Sequence, residues 1–252
     1  MENNIFQKSI YFILLVVFFI SCGTQKQSQT SEVGMSFEPT EPYDKVIPEG
    51  SESKKGLFTV HKVNEDYYFE IQDSLLNREI LVVTRFIKTP GGAGNYGGEE
   101  IGEKTIFFEK GPSNKIFLRV ATFVSQANEE DAIAKAVNNS NVTPILEAFD
   151  VKARNEENAA SVIKVTDFIN SENNLLALSA SQKETYNLTS LEKDKSYIST
   201  INSYPINTEV KTVKTYNASI AHNNKKSLPA AALSGVVTLE LNNSFILLPK
   251  EP

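Results

Sequence analysis

Few residues in this chain have the type and spacing of a reaction centre. Gly92-Ala93-Gly94-Asn95-Tyr96-Gly97 reads G-x-G-x-x-G and follows an apolar run. A dinucleotide fingerprint needs a helix opening at its end, so that main-chain amides and the helix dipole meet the pyrophosphate. Here Gly98-Glu99-Glu100 leads into another strand-like run at Thr105–Phe108, and both carboxylates would repel phosphate. The string is expected to be a hairpin loop. There are two histidines, His61 in a strand-like run and His222 in the polar stretch Ala221–Lys226. Zinc needs three or four N, S or O ligands, commonly with a paired local motif, and neither histidine has another His or Cys nearby. Both are expected to be ordinary surface or edge residues. No G-x-S-x-G elbow occurs, and Glu129-Glu130-Asp131 reads as the acidic start of a helix. The sequence therefore assigns no catalytic, cofactor-binding or metal-ligating residue.

The single cysteine carries a different kind of chemistry. Lys8 precedes the uncharged apolar run Ile10–Ile20, which is closed by Ser21 and Cys22. Its eleven residues fall short of the roughly 20 that span a hydrocarbon core. They suit the h-region of a secretory signal, roughly 7–15 residues long. Phe19-Ile20-Ser21-Cys22-Gly23 resembles the lipobox of Gram-negative lipoproteins, with Phe19 bulkier than the usual leucine. The resemblance implies a signal peptide over 1–21, cleavage before Cys22, and acyl chains on its thiol and new amino group. Several acyl chains on one residue anchor stably where one would be marginal. Residues 22–55 then read as acylated cysteine and tether, polar and rich in Pro, Ser, Thr, Gln and Glu. Asn138-Asn139-Ser140, Asn141-Val142-Thr143, Asn187-Leu188-Thr189, Asn217-Ala218-Ser219 and Asn242-Asn243-Ser244 match the N-glycosylation sequon as a matter of composition. Asp73-Ser74-Leu75 fits a D-S/T-aliphatic O-glycosylation pattern.

The rest of the 252 residues must supply a scaffold. The chain carries 25 Lys+Arg against 31 Asp+Glu, a formal charge of −6, which disfavours nucleic acid as a partner. With 15 Phe and 9 Tyr, an aromatic core needs no Trp. Leu57–Val63 and Tyr67–Gln72 flank Asn64-Glu65-Asp66 as a hairpin, with Tyr67, Phe69 and Ile71 on one face and Tyr68, Glu70 and Gln72 on the other. Glu79–Lys88 reads as a central strand. Lys104–Glu109 and Lys115–Ala121 flank the turn Gly111-Pro112-Ser113-Asn114. Helices are expected at Asn128–Asn138, capped by Asn128, and at Thr189–Ser203, where Leu191, Ile198 and Ile201 recur at helical spacing before Pro205. Glu209–Ile220 returns to strand character. Gly235–Leu241 and Ser244–Leu248 are expected to form a hairpin about Asn242-Asn243. The fold class is thus α+β, with strand-dominated antiparallel sheets and a few short helices. Residues 56–100 read as a small β-rich module and 101–252 as a larger α+β module, incomplete at its C-terminus.

Several strings, taken in order, resemble one family. They are Lys55–His61, Tyr67–Leu76, Glu79–Arg85, Pro144–Val151, Val162–Asp167 and Asn243–Pro249. Together they are similar to the N-terminal uncharacterised modules of large secreted zinc-dependent metalloprotease-like lipoproteins, over about Lys55 to Pro252. In that family zinc sits downstream in an H-E-x-x-H-x-x-G-x-x-H helix, where the glutamate polarises water. No part of that motif occurs here, so no family catalytic residue transfers to any position of this chain. The resemblance implies a lipid-anchored accessory or pro-region of a zinc-metallopeptidase-like protein, with zinc and protease domain outside these residues. Its partners would be the membrane, through the lipid anchor, and that protease domain. Its place would be the outer membrane facing the periplasm, since Gly23-Thr24-Gln25-Lys26 lacks an acidic export cluster. The rival expectation is a self-contained periplasmic lipoprotein that binds a ligand or protein.

Overall fold

The computed structural model describes residues 41–121, 142–157, 159–220 and 228–250. The leader with Cys22, the helix expected at Asn128–Asn138 and His222 lie outside the described residues. The fold is strand-dominated. Its strands are β1 (Glu52–Lys54), β2 (Thr59–Val63), β3 (Asp66–Gln72), β4 (Ile80–Lys88), β5 (Glu100–Gly111) and β6 (Lys115–Val120). They continue with β7 (Ile145–Asn155), β8 (Ala160–Lys164), β9 (Leu188–Leu191), β10 (Tyr197–Tyr204), β11 (Asn207–Ala218) and β12 (Val236–Leu247). Among the described residues four short α-helices accompany them: α1 (Tyr43–Val46), α2 (Thr166–Asn170), α3 (Ala180–Thr185) and α4 (Pro229–Ser234).

All pairings are antiparallel, in the order β1-β2-β3-β8-β7-β6-β5-β4-β12-β11-β10, with β9 attached to β11. Tight connections follow from residues that accept positive φ. Asn64 at φ 56° turns β2 into β3, and Ser113 and Asn114 at φ 55° and 56° turn β5 into β6. β7 bends the sheet: it pairs with β6 over Ile145–Asp150 and with β8 from Val151 onward, with register shifts in both ladders. The sheet curls until its ends meet. Leu57 N–H donates to the Tyr204 carbonyl at 2.6 Å, and Ser203 Oγ donates to the Phe58 carbonyl at 2.7 Å. Lys54 Nζ reaches the Ile201 carbonyl at 3.1 Å. A Cβ on Gly56 would lie 2.4 Å from both Ser203 Oγ and the Tyr204 nitrogen, so only glycine permits this approach.

The enclosed core is aromatic. Phe58 stacks on Phe69 at 4.9 Å and meets Phe108 and Phe245 edge-on at 5.7 and 6.1 Å. Those rings come from β3, β5, β12 and the segment just before β2, strands spread widely through the sheet order, and each such geometry adds to the area term. The segment from α2 to Leu178 fills the interior: Phe168, Ile169, Leu175 and Leu176 join this cluster. Leu178 joins a second one with Phe86, Tyr216 and Leu241. Between the two clusters lies a buried polar belt of Thr84, Asn243, Thr212 and Lys214. Asn243 Nδ2 donates to Thr84 Oγ1 at 2.8 Å.

Two sequence expectations are corrected here. Thr189–Ser203 is not a helix; it comprises β9, a short 3₁₀ turn at Lys193–Lys195, and β10. Ile198 and Ile201 do recur at helical spacing, but Ile198 and Thr200 are β-branched, and the segment satisfies its main chain on β11 from Tyr197↔Val213 to Tyr204↔Asn207. Asn242-Asn243 is not a turn. β12 runs unbroken through both, because Asn243 faces inward to Thr84 while Asn242 Nδ2 donates outward to Glu209 Oε2 at 2.6 Å.

Candidate functional site

The sequence's glycine string occupies the loop of residues 90–99 between β4 and β5. Gly92, Gly94 and Gly98 take φ of 83°, 85° and 92°, which only glycine accepts without strain. The chain passes into β5 rather than a helix. Glu99 occupies the loop's own donors, accepting from Asn95 Nδ2 at 2.7 Å and from the Tyr96 amide at 3.3 Å.

The most chemically organised cluster instead surrounds His61. It lies on the face of β1–β2–β3 turned away from the aromatic core. Antiparallel register sets it up: Ser53 pairs with His61, His61 with Tyr68, and Thr59 with Glu70. Ser53 is thus directly across from His61 on one side, and Glu70 is its diagonal neighbour on the other. α1 lies over this face, packing Val46 and Ile47 against Ala153 and Val162, with Tyr43, Val63 and Tyr68 around them. The Glu41 amide fixes the start of that segment by donating to the Lys152 carbonyl at 3.1 Å. The cover buries His61 and Glu70 to 3% and 4% exposure, while Ser53 stays exposed. His61 is therefore not the surface or edge residue that the sequence suggests. Its strand is next to the edge, but a helix lies across it.

Hydrogen bonds form a chain from the interior to the surface. Ser53 Oγ lies 2.8 Å from His61 Nδ1, and His61 Nε2 lies 3.1 Å from Glu70 Oε2. Tyr43 OH donates to Glu70 Oε2 at 2.7 Å, and Asn155 Nδ2 donates to Glu70 Oε1 at 3.0 Å. Burial pushes the Glu70 carboxyl up, but hydrogen bonds from His61, Tyr43 and Asn155 outweigh it and hold the group below the usual carboxylate range. Burial and the bond to Glu70 raise the Tyr43 phenol, so it remains a donor. An ionised carboxylate only accepts. Nε2 of His61 therefore donates to Glu70, which orients Nδ1 toward the Ser53 hydroxyl, and that hydroxyl also lies 3.2 Å from the Ser51 carbonyl. A hydroxyl on a base that is oriented by a carboxylate is the arrangement that activates nucleophiles.

The sequence reading missed Ser53, Tyr43, Glu70 and Asn155. Glu70 and His61 share a face of one predicted hairpin, so counting its register from the Asn64 turn would have made them diagonal neighbours. Ser53, Tyr43 and Asn155 arrive from other segments and left no local signal. Among the described residues no group of three or more His, Cys, Asp or Glu is placed to hold a metal ion. No helix among them is long and apolar enough to cross a membrane.

Comparison with known proteins gives two matches in chain order. Residues 40–89 match a domain of unknown function, DUF5118, and residues 98–252 match a second, DUF5117. No curated protein and no solved structure matches the chain. The β3–β8 and β4–β12 ladders place strands of both matched segments in one sheet. Because the second match covers more than half of its length, the chain belongs to the DUF5117 family, with a DUF5118 segment preceding it.

Proposed function

We propose that this protein is a lipid-anchored accessory region of a zinc-metallopeptidase-like protein, tied to the membrane through Cys22. It would hold or shield a catalytic domain whose zinc site lies outside these residues. The carrying observation is that the curled sheet is filled by its own side chains and by the segment from α2 to Leu178. A scaffold that consumes its interior in packing offers its outer surface to a neighbouring domain. The ordered pair of uncharacterised modules agrees with the sequence resemblance to the N-terminal region of such lipoproteins.

Two measurements test this reading. Metabolic labelling with a palmitate analogue in a Gram-negative host should mark the protein, and Cys22→Ala should abolish both the label and membrane retention. A longer polypeptide carrying the H-E-x-x-H helix should lose zinc-dependent peptidase activity or secretion yield when residues 41–250 are deleted. Unchanged activity and yield would overturn the accessory role.

A second reading, a self-contained binding module, draws on one feature. An open groove of about 370 Å³ crosses the outer sheet face beside Arg85, Asn202, Tyr204, Glu209, Lys211 and Asn242. A small molecule that slows amide hydrogen exchange of the protein at these positions would favour it over the accessory role.

A further inference from the structure

We propose that Ser53 is a nucleophile, activated by His61 and Glu70, that accepts acyl groups from small carboxylic esters. The geometry carries this. Ser53 is exposed on β1, and its hydroxyl oxygen lies 2.8 Å from His61 Nδ1 and 3.2 Å from the Ser51 carbonyl. The imidazole is fixed through its other nitrogen by Glu70 at 3.1 Å. Tyr43 and Asn155 hold Glu70 in turn, one on each carboxylate oxygen. A nucleophile, a base and an orienting acid within hydrogen-bond reach are the general signature of covalent catalysis. The surrounding order is unusual for a chance surface contact, since the base and the acid are both almost fully buried while only the hydroxyl meets solvent.

The step balances without any further reagent than ester and water. Ser53 Oγ forms a bond to the ester carbonyl carbon as its proton passes to His61 Nδ1. The imidazolium so formed is stabilised by the Glu70 carboxylate. Collapse of the tetrahedral adduct breaks the bond to the leaving oxygen, which takes the proton from Nδ1 and departs as the alcohol. Water then attacks the acyl-serine by the same path and releases the carboxylic acid. This chemistry is independent of zinc and of the accessory role proposed above.

The test uses the full chain with a fluorophosphonate probe and with p-nitrophenyl acetate. The expected result is a single phosphonyl adduct whose peptide maps to Ser53, together with ester turnover. Ser53→Ala should remove both, and His61→Asn should slow labelling by roughly 100-fold or more, the usual scale of general-base assistance. No adduct, an adduct on another serine, or equal labelling of His61→Asn would overturn the proposal. Because His61 is buried and its variant could unfold, a second measurement stands on the surface residue alone. In a Cys22→Ala background, which removes the chain's single cysteine, Ser53→Cys should react with iodoacetamide at least tenfold faster than Thr200→Cys. Equal rates would overturn the claim that His61 activates position 53.

Discussion

Replacing Lys214 by methionine probes the centre of the fold. The Lys214 side chain points inward from β11 and is fully buried, and Nζ donates to the Ile169 and Ser171 carbonyls at 2.6 and 2.9 Å. It thereby satisfies main-chain oxygens at the end of α2, where helical carbonyls lack partners. Burial pulls the amine down from its ordinary 10.5 to about 8, against a smaller opposite pull from Glu172. The unfolded chain holds this proton to higher pH than the folded one. Between pH 8 and 10.5 the unfolded state therefore binds more protons, and stability rises with pH. The cost of burying the charge is fully present below pH 8 and disappears as pH passes the unfolded value. At about 1.4 kcal/mol per pH unit, that interval corresponds to a total of about 3.5 kcal/mol, of which about 2.5 kcal/mol falls between pH 7 and pH 10. Lys214→Met cannot titrate. It removes the buried charge but strands two carbonyls, opposing effects of roughly 1–3 kcal/mol each that leave the net change at pH 7 small. The assay is urea unfolding of both proteins at pH 7, 8, 9 and 10, ending where unfolded tyrosines begin to ionise. Wild-type stability minus that of Lys214→Met should climb by about 2.5 kcal/mol across this range. A difference that stays flat, or that falls, would refute the reasoning.

Other expectations concern the rest of the frame. Phe58→Ala should lower unfolding stability by about 3–5 kcal/mol, since Phe58 contacts three other phenylalanine rings; a loss below about 1 kcal/mol in chemical denaturation would mean the site collapses onto the gap. Gly56→Ala should raise hydrogen exchange of the Leu57 amide, because the new Cβ would strike Ser203 and Tyr204; unaltered protection would show that the ends of the sheet part without cost. Asp73 accepts a bidentate pair from Arg154 at 2.7 and 2.6 Å, and those bonds hold its carboxyl below the usual range. Its stabilisation is thus present above the unfolded carboxylate value and is lost as pH falls through the lower folded value. Asp73→Asn should flatten the acid limb of a stability-versus-pH curve, and an unchanged limb would assign that limb to other groups.

Much of this frame is legible in the chain, and its errors have identifiable physical causes. The hairpins about Asn64 and about Ser113-Asn114 are local, and their turn residues tolerate positive φ. The strand nature of β4, β5 and β6 is carried by dense β-branched and aromatic residues. The reading of Thr189–Ser203 failed because Leu191, Ile198 and Ile201 fit a helix as well as a strand over so short a stretch. What settled it was β11, whose edges needed partners. Asn242-Asn243 failed for the opposite reason. Local turn chemistry was real, but a buried hydrogen bond to Thr84 on β4, a residue 159 positions away, outweighed it. The cluster at Ser53, His61 and Glu70 was half visible, since a hairpin register joins His61 to Glu70. Its other half depends on α1 folding across the sheet and on β7 delivering Asn155.

The sequence alone determined the acidic, strand-rich character of the body, the lack of an H-E-x-x-H helix in this chain, and the turns that depend on one or two residues of special backbone freedom. Those properties are local, so nearest neighbours suffice to specify them. Only the tertiary structure decided that the two ends of the strand order meet at Gly56, that a lysine lies in the interior, and that a histidine in a near-edge strand is buried against a glutamate. Burial and register belong to pairs of distant segments. The sign of a contact such as Ser53 with His61 is therefore fixed by how the sheet curls and what covers it, and not by either residue's neighbours in the chain.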